Sequence, residues 1–151
     1  MKISGKNKIV IVSSVPESLV LFRGNLIKSL IKSNFEVNVF APNLIKSKYY
    51  FDKVQSYGAK AYDIPLKGSS ISPINDIYLI LKLIILFFKI KPDFILSYNV
   101  KPVIFATFAA WVCGIKKIYA IMTGLGFYFI DDNNKNIKKM IIKKIINIFY
   151  F

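Results

Sequence analysis

The chain has 151 residues, enough for one domain with a substantial hydrophobic core. Apolar residues make up 54% of it, and 22 basic residues against 8 acidic ones give a formal charge of +14. There is no histidine and only one cysteine, which excludes a disulfide, histidine-ligated metal, and Ser-His or Cys-His catalysis. The charge favours an anionic partner. It is equally what an AT-rich genome would produce through lysine codons, so the charge alone decides nothing.

Apolar periodicity predicts strands that alternate with helices along the chain. Short apolar or β-branched runs predict five strands, at 8–13, 36–41, 59–64, 94–97 and 115–121. Helical spacing predicts helices at about 18–32, 45–57, 74–90 and 101–113, and one rich in lysine and isoleucine after 132. The first of these has its apolar stripe at Leu19, Phe22, Leu26 and Leu30, and Gly58 and Gly114 are predicted to end the second and the fourth. Parallel strands need crossover connections, so this order predicts an α/β fold: a Rossmann-like parallel sheet with helices on both faces.

The segment 74–90 is the most apolar stretch of the chain. Its length of about 17 residues is at the lower limit for crossing a bilayer, and Asp76, Lys82 and Lys89 interrupt it. We expect a helix that is buried or lies on a membrane surface rather than one that spans it. The segment before the first apolar run has too few residues for a signal peptide. We therefore expect a cytoplasmic location.

Loops that follow the strands are where open parallel sheets bind ligands. The first, 14–18, has no Gly-x-Gly-x-x-Gly, and the chain has no Walker motif, which argues against dinucleotide and nucleotide-hydrolase sites. It leaves a helix N-terminus near Ser14 and Ser18, which could hold an anion or simply be capped by either serine. Arg23, the only arginine, is predicted one turn inside this helix. It is either a bidentate ligand for phosphate or carboxylate or a plain surface cation.

Two later loops carry further candidate ligands. Tyr98, Asn99 and Lys101 follow the fourth strand and are suited to sugar hydroxyls or a phosphate, although Asn99 and Lys101 could equally shape the turn and the helix entry. Gly124 and Gly126 follow the fifth strand and would let a ligand approach the backbone. The lysine-rich terminal segment indicates either an interfacial helix or a partly packed one.

Taken in order, several segments resemble the N-terminal domain of glycosyltransferase family 4, in the subgroup that builds bacterial surface polysaccharides. These segments are 11–19, 22–23, 26–30, 36–42, 93–98, 101–102 and 123–126. The chain departs from the family in two places. It has Asn34-Phe35 where the family commonly has Gly-His, and Thr123 roughly where members often carry a histidine.

The resemblance implies a GT-B architecture, in which two Rossmann-like domains enclose the active site. The N-terminal domain chiefly holds the acceptor, often a sugar linked to polyprenyl diphosphate, and the C-terminal domain holds the nucleotide-sugar donor. Residues 1–151 would then be the N-terminal domain with the donor-binding domain absent, and the chain alone is expected to be inactive. No cofactor or metal is expected. No catalytic residue is assigned, because the family's chemistry is usually explained without a protein nucleophile.

The resulting hypothesis is a glycosyltransferase of the hexosyltransferase type, acting on a lipid-linked or polysaccharide acceptor at the inner face of the cell membrane. The residues expected to line its cleft are Ser14, Arg23, Tyr98, Asn99, Lys101, Thr123, Gly124 and Gly126. An anionic membrane surface is an expected partner. The alternative is a non-catalytic, membrane-associated Rossmann-like module that needs a separate donor-binding protein. Nucleic acid is not an expected partner, because no RNA-binding or helix-turn-helix signature accompanies the charge.

Overall fold

A computed structural model describes residues 5–67 and 72–122 of the chain. Its strands, β1 to β5 in chain order, are Lys8–Val12, Glu36–Ala41, Lys60–Asp63, Phe94–Tyr98 and Lys117–Ile121. Its helices, α1 to α5, are Pro16–Leu21, Gly24–Lys32, Lys48–Ser56, Pro73–Ile90 and Val100–Val112. The strands form one parallel sheet in the order β3-β2-β1-β4-β5. The predicted Rossmann-like α/β fold is confirmed.

The first strand lies at the centre of the sheet. Val10 of β1 is in register with Asn38 of β2 on one side and with Ile95 of β4 on the other. The chain runs from β1 to β2 and β3 in one direction, and then crosses back to place β4 on the other side of β1. The loops after β1 and β4 therefore diverge at the point where the strand order reverses, which is where sheets of this kind open a crevice for ligands.

Helices cover the sheet on both faces, and the alternation of side chains along β1 supplies both cores. Ile9 and Ile11 pack on the face covered by α1, α2 and α3, while Val10 and Val12 pack on the face covered by α4 and α5. All four are nearly or completely buried. A strand buried on both faces needs this continuous β-branched run rather than an alternation of apolar and polar residues.

The first predicted helix is in fact two helices, and this corrects the predicted position of Arg23. Helix α1 ends at Leu21 and α2 begins at Gly24, so Arg23 lies in the junction, as the N-cap of α2, instead of one turn inside a continuous helix. Phe22, predicted to lie on the buried stripe, is 72% exposed. Gly24 is buried, and a β-carbon there would lie 3.4 Å from the Tyr57 ring. The start of α2 therefore packs closely against the end of α3.

The remaining boundaries differ from the predictions by a few residues. Helix α3 starts at Lys48, three residues later than predicted, because residues 42–46 form turns. Strand β5 starts at Lys117 rather than at 115. The predicted helix ends at Gly58 and Gly114 are confirmed. Both glycines have positive φ, +89° and +71°, the left-handed conformation that ends a helix most readily at glycine.

Helix α4 is apolar on almost every side, but only one side of it packs on the sheet. The buried residues of this helix are Leu79, Leu83, Leu86, Phe87 and Ile90. As expected for a segment interrupted by three charges, neither this helix nor any other in the described residues is long and apolar enough to cross a membrane.

Two leucines on α4 test this division. Leu83 is completely buried and Leu81 is 53% exposed. We expect Leu83→Ala to lower the free energy of unfolding by about 2–5 kcal/mol, because it removes buried apolar surface and leaves a cavity. Leu81→Ala should change it by less than about 0.5 kcal/mol. Urea unfolding followed by circular dichroism measures both, and equal losses at the two positions would show that both sides of α4 are packed.

Candidate functional site

A cleft opens at the carboxyl edge of the sheet, where the loops after β1 and β4 diverge. It is lined by Val15, Ser18, Phe22, Arg23, Tyr98 and Asn99, and its volume is about 490 Å³. Four of the predicted site residues, Ser14, Arg23, Tyr98 and Asn99, lie in or directly beside this cleft. They come together because the parallel pairing of β1 with β4 places the two loops side by side.

Three hydroxyl groups join the end of β4 to the first loop. Ser18 Oγ lies 3.0 Å from Tyr98 Oη and 2.7 Å from Ser13 Oγ. Ser13 Oγ donates in turn to the Val15 carbonyl oxygen at 2.7 Å. Ser18 Oγ also lies 2.9 Å from the same carbonyl oxygen, so it can accept a hydrogen bond from Tyr98 and donate its own proton either to Ser13 or to the Val15 carbonyl. Ser18 therefore links α1 to the end of β4 by a buried hydrogen bond and does not cap the helix, since Val15 occupies the N-cap of α1.

Tyr98 is the largest fully buried side chain at this edge of the sheet, with 2% of its surface exposed. Burial raises the pKa of its phenol, and the hydrogen bonds from Ser13 and Ser18 and the positive charge of Arg23 oppose that rise only in part. The hydroxyl stays protonated at neutral pH and acts as a neutral hydrogen-bonding anchor. Its ring contacts Arg23, which also lines the cleft.

Arg23 lies over the face of that ring. Its guanidinium carbon is 4.8 Å from the centre of the Tyr98 ring, within the range of a cation–π contact. Nη1 donates to the Phe22 carbonyl oxygen at 3.3 Å. Nε is buried and has no hydrogen-bond partner in the described part of the chain. The guanidinium is thus supported by the tyrosine ring, and its Nε is left without a partner among the described residues.

Asn99 fastens the two loops together and has a strained backbone. Its Nδ2 donates to Ser14 Oγ at 2.5 Å, across 85 positions of the sequence. Its backbone angles are φ 70° and ψ 152°, a region essentially restricted to glycine. Strain of this kind persists only where surrounding contacts hold it, and it concentrates at ligand sites.

Lys101 lies elsewhere. Its Nζ is 3.1 Å from Asp76 Oδ1 and donates to the Lys67 carbonyl oxygen at 3.3 Å. Both side chains of this ion pair are largely buried, with 12% and 15% exposed. Lys101 therefore joins the start of α5 to the first turn of α4, on the other face of the sheet, and it does not line the cleft. The other predicted site residues, Thr123, Gly124 and Gly126, lie outside the described residues.

Three residues of the site were not predicted from the sequence. The sequence pattern places Ser13 in the first predicted strand, Val15 in the loop after it, and Phe22 on the apolar stripe of the first predicted helix. Gly24 carried a usable signal, because a glycine within a helical pattern weakens the prediction of a continuous helix. A break at Gly24 would have released Phe22 and Arg23 from the buried stripe. Among the described residues, no three or more Asp, Glu or Cys side chains are grouped to hold a metal.

The sheet order and the cleft at its reversal point define a Rossmann-like domain, and the arginine lies within that cleft. The family model described as Glycosyl transferase 4-like matches residues 8–149, and the chain belongs to this family. No curated protein matches the sequence.

Solved structures share the fold at low sequence identity. MurG of Acinetobacter baumannii has a TM-score of 0.60 and 11% identity, over 90% of this chain and 39% of that one. UDP-GlcNAc 2-epimerase of Neisseria meningitidis, bound to UDP-GlcNAc, has a TM-score of 0.58 and 21% identity, over 82% of this chain and 33% of that one. The glycotransferase of kitacinnamycin has a TM-score of 0.57 and 20% identity, over 79% of this chain and 31% of that one. The chain thus spans 31–39% of the length of these three proteins.

The strain at Asn99 can be measured with two substitutions. Asn99→Ala and Asn99→Gly both remove the hydrogen bond to Ser14, but only glycine adopts the observed backbone angles freely. We expect the glycine variant to be more stable than the alanine variant by about 1–3 kcal/mol. Ser14→Ala, which removes the acceptor without touching the Asn99 backbone, reports the hydrogen bond separately. Identical urea midpoints for the glycine and alanine variants would show that no strain is stored there.

The buried phenol predicts a pH dependence of stability. Because the pKa of Tyr98 is raised in the folded protein, the unfolded chain loses this proton first as the pH rises above about 10. The free energy of unfolding should therefore fall through that range, and Tyr98→Phe should reduce the slope. Urea unfolding at a series of alkaline pH values gives the slope, with Tyr49→Phe as the exposed-tyrosine control. A Tyr98→Phe slope as steep as that of the control would contradict the assignment.

Proposed function

We propose that this domain binds the acceptor in a sugar-transfer reaction, in which a hexose or its derivative passes from a nucleotide sugar to a lipid-linked or polysaccharide acceptor. Membership of the Glycosyl transferase 4-like family supports the reaction class. The observation that carries the acceptor assignment is Arg23, held over the Tyr98 ring with a buried Nε that has no partner in the described part of the chain.

Arg23 suits a phosphate group for geometric reasons. Its planar guanidinium matches two phosphate oxygens, and the fork is already oriented, so little conformational freedom is lost when a ligand binds. Tyr98 supplies that orientation, because its ring supports the guanidinium and its hydroxyl is fixed by Ser18. A diphosphate that links a sugar to a lipid carrier has the required charge and oxygen geometry.

The other cleft residues supply contacts for the remainder of an acceptor. Ser14 and Asn99 offer hydroxyl and amide groups at one side, which suit sugar hydroxyls. Phe22, 72% exposed at the other side, offers an aromatic surface for a sugar ring or for the first part of a lipid chain. The proposal assigns no nucleophile or general base to the described residues. The nucleotide sugar would be held by a donor-binding domain outside these 151 residues.

A lipid-linked acceptor would place the domain at the inner face of the cell membrane, as in the assembly of bacterial surface polysaccharides. The formal charge of +14 supports this location, because each lysine near an anionic leaflet contributes about 1 kcal/mol of attraction.

The acceptor assignment can be tested by titrating the full chain with geranyl diphosphate, geranyl monophosphate and inorganic pyrophosphate. We expect the prenyl diphosphate to bind most tightly. Arg23→Gln should weaken it about 10- to 100-fold, because a charge-assisted hydrogen bond is worth about 1.5–3 kcal/mol. Arg23→Lys, which keeps the charge and loses the fork, should recover only part of that loss.

Lys28→Gln is the matched control, because Lys28 is also a cation over an aromatic ring, 4.6 Å from the centre of Tyr57. Isothermal titration calorimetry at fixed ionic strength gives the affinities. If Lys28→Gln weakens binding as much as Arg23→Gln, the chain attracts the diphosphate through its overall charge and the site assignment fails.

Sugar transfer itself needs the donor domain. The coding sequence after codon 151, read in all three frames, would identify such a domain if one is encoded there. The chain should then be assayed alone and together with that domain. Transfer that requires both parts supports an acceptor half of an enzyme. Binding of the prenyl diphosphate without transfer in either case would favour a non-catalytic module that recruits a donor-binding protein.

A further inference from the structure

Helix α4 presents a second apolar face to solvent, opposite the one that packs on the sheet. Six residues of this face are between 53% and 83% exposed: Ile74, Ile77, Tyr78, Leu81, Ile85 and Phe88. At about 100° per residue they fall within an arc of about 100°, so they form one continuous stripe. The stripe runs along 15 residues of α4, from Ile74 to Phe88, which gives it a length of about 22 Å. We call these six residues the outer stripe.

The end of α5 extends this apolar surface. Cys113 Sγ, directly after α5, lies 3.9 Å from the carbonyl oxygen of Ile84 on α4, so the two helices are in contact there. Trp111 and Val112, in the last turn of α5, are 69% and 46% exposed. Phe108 lies one turn earlier, with its ring centre 6.1 Å from that of Trp111. An exposed apolar surface of this extent on a protein domain marks an interaction site.

The charged residues of α4 at the border of the outer stripe are both lysines. Lys82 and Lys89 fall about 70–90° from its centre line on the same side, at its border. The one acidic residue in α4, Asp76, projects towards the interior and is neutralised by its ion pair with Lys101. Helix α5 contains no acidic residue. An occupant of this surface must therefore be apolar at its centre and anionic where it meets the lysines.

We propose that the outer stripe and the end of α5 form the surface through which the domain lies on an anionic lipid bilayer. Acyl chains would cover the isoleucines and aromatic rings, and lipid phosphates would meet Lys82 and Lys89. A second copy of the chain is a poorer occupant, because it would bring the same net charge of +14 to the contact. This inference rests on the membrane location in the proposed function and names the surface responsible for it.

The surface also lies on the correct side of the domain for a lipid-linked acceptor. Lys101, two residues after Asn99 of the cleft, is 3.1 Å from Asp76 in the first turn of α4. The beginning of the outer stripe is therefore close to the edge of the sheet where the cleft opens. A domain resting on this stripe would hold its cleft beside the headgroups, where the diphosphate of a membrane-embedded acceptor lies.

Trp111 provides a direct readout, because it is the only tryptophan in the chain and belongs to the proposed surface. The full chain is mixed with vesicles of phosphatidylcholine alone, or of phosphatidylcholine with phosphatidylglycerol, and binding is measured by flotation. We expect binding to the anionic vesicles, a blue shift of the Trp111 emission, and quenching by brominated acyl chains. Binding without acyl-chain quenching would mean a purely electrostatic contact and would overturn the proposal.

Two double variants locate the contact. Ile77→Ser with Tyr78→Ser removes an isoleucine and a tyrosine from the outer stripe, where they are 58% and 57% exposed. Ile45→Ser with Tyr49→Ser removes the same residue types, 49% and 62% exposed, from the α3 side of the sheet. The first pair should lower the vesicle partition coefficient about tenfold or more, because each buried apolar side chain contributes substantially to partitioning. The second pair should leave it within about twofold.

Equal effects of the two pairs would overturn the assignment of the surface. So would a loss of self-association, rather than of vesicle binding, when Ile77 and Tyr78 are replaced, since that result would identify a second copy as the occupant. Titration with geranyl diphosphate without vesicles separates this inference from the acceptor site. The outer-stripe variant should bind it as the unmodified chain does, and Arg23→Gln should still bind the vesicles.

Discussion

The hydrogen bond between the Tyr98 hydroxyl and Ser18, 3.0 Å long, joins the end of β4 to the loop and helix that follow β1. These strands are neighbours only because the chain crosses back at the centre of the sheet, so this bond connects the two sides of the crevice that such a crossing opens. The position of Arg23 depends on it. A tyrosine ring anchored at its hydroxyl can support a guanidinium in a fixed plane, and the Asn99–Ser14 hydrogen bond holds the same two loops together a short distance away.

Most of the fold could be predicted from the sequence because it depends on local patterns. The β-branched run of β1, the helical spacing in α4 and the glycines at 58 and 114 act within a few residues of themselves, and each was assigned correctly in kind. The break between α1 and α2 lies instead where Gly24 contacts the ring of Tyr57, a residue distant in sequence that follows α3. The spacing of apolar residues in the sequence does not reveal such a contact, so the apolar stripe predicted for a single helix includes Phe22.

The same limit explains which of the candidate site residues could be placed together from the sequence. The loops at the carboxyl ends of β1 and β4 follow from topology, so Ser14, Arg23, Tyr98 and Asn99 could be assigned to one region. Lys101 comes only two residues after Asn99, yet its side chain lies on the other face of the sheet, because one helical turn contains positions that point in opposite directions. Asp76, whose carboxylate forms the ion pair with Lys101, is distant in sequence, and the sequence pattern showed it only as one of the charges within an apolar helix.

Helix α4 shows why its composition resembles a membrane segment although it does not span one. Its inner face is apolar because it packs on the sheet, through residues such as Leu83 and Phe87. That packing requires nothing of the opposite face, where a surface helix ordinarily carries polar residues. The isoleucines and aromatic residues there must be explained by something other than folding, since exposing them to water contributes nothing to the stability of this domain. The two apolar faces thus have two different causes, one internal to the domain and one external to it, and the lysines at the border of the outer face indicate the charge of what lies outside.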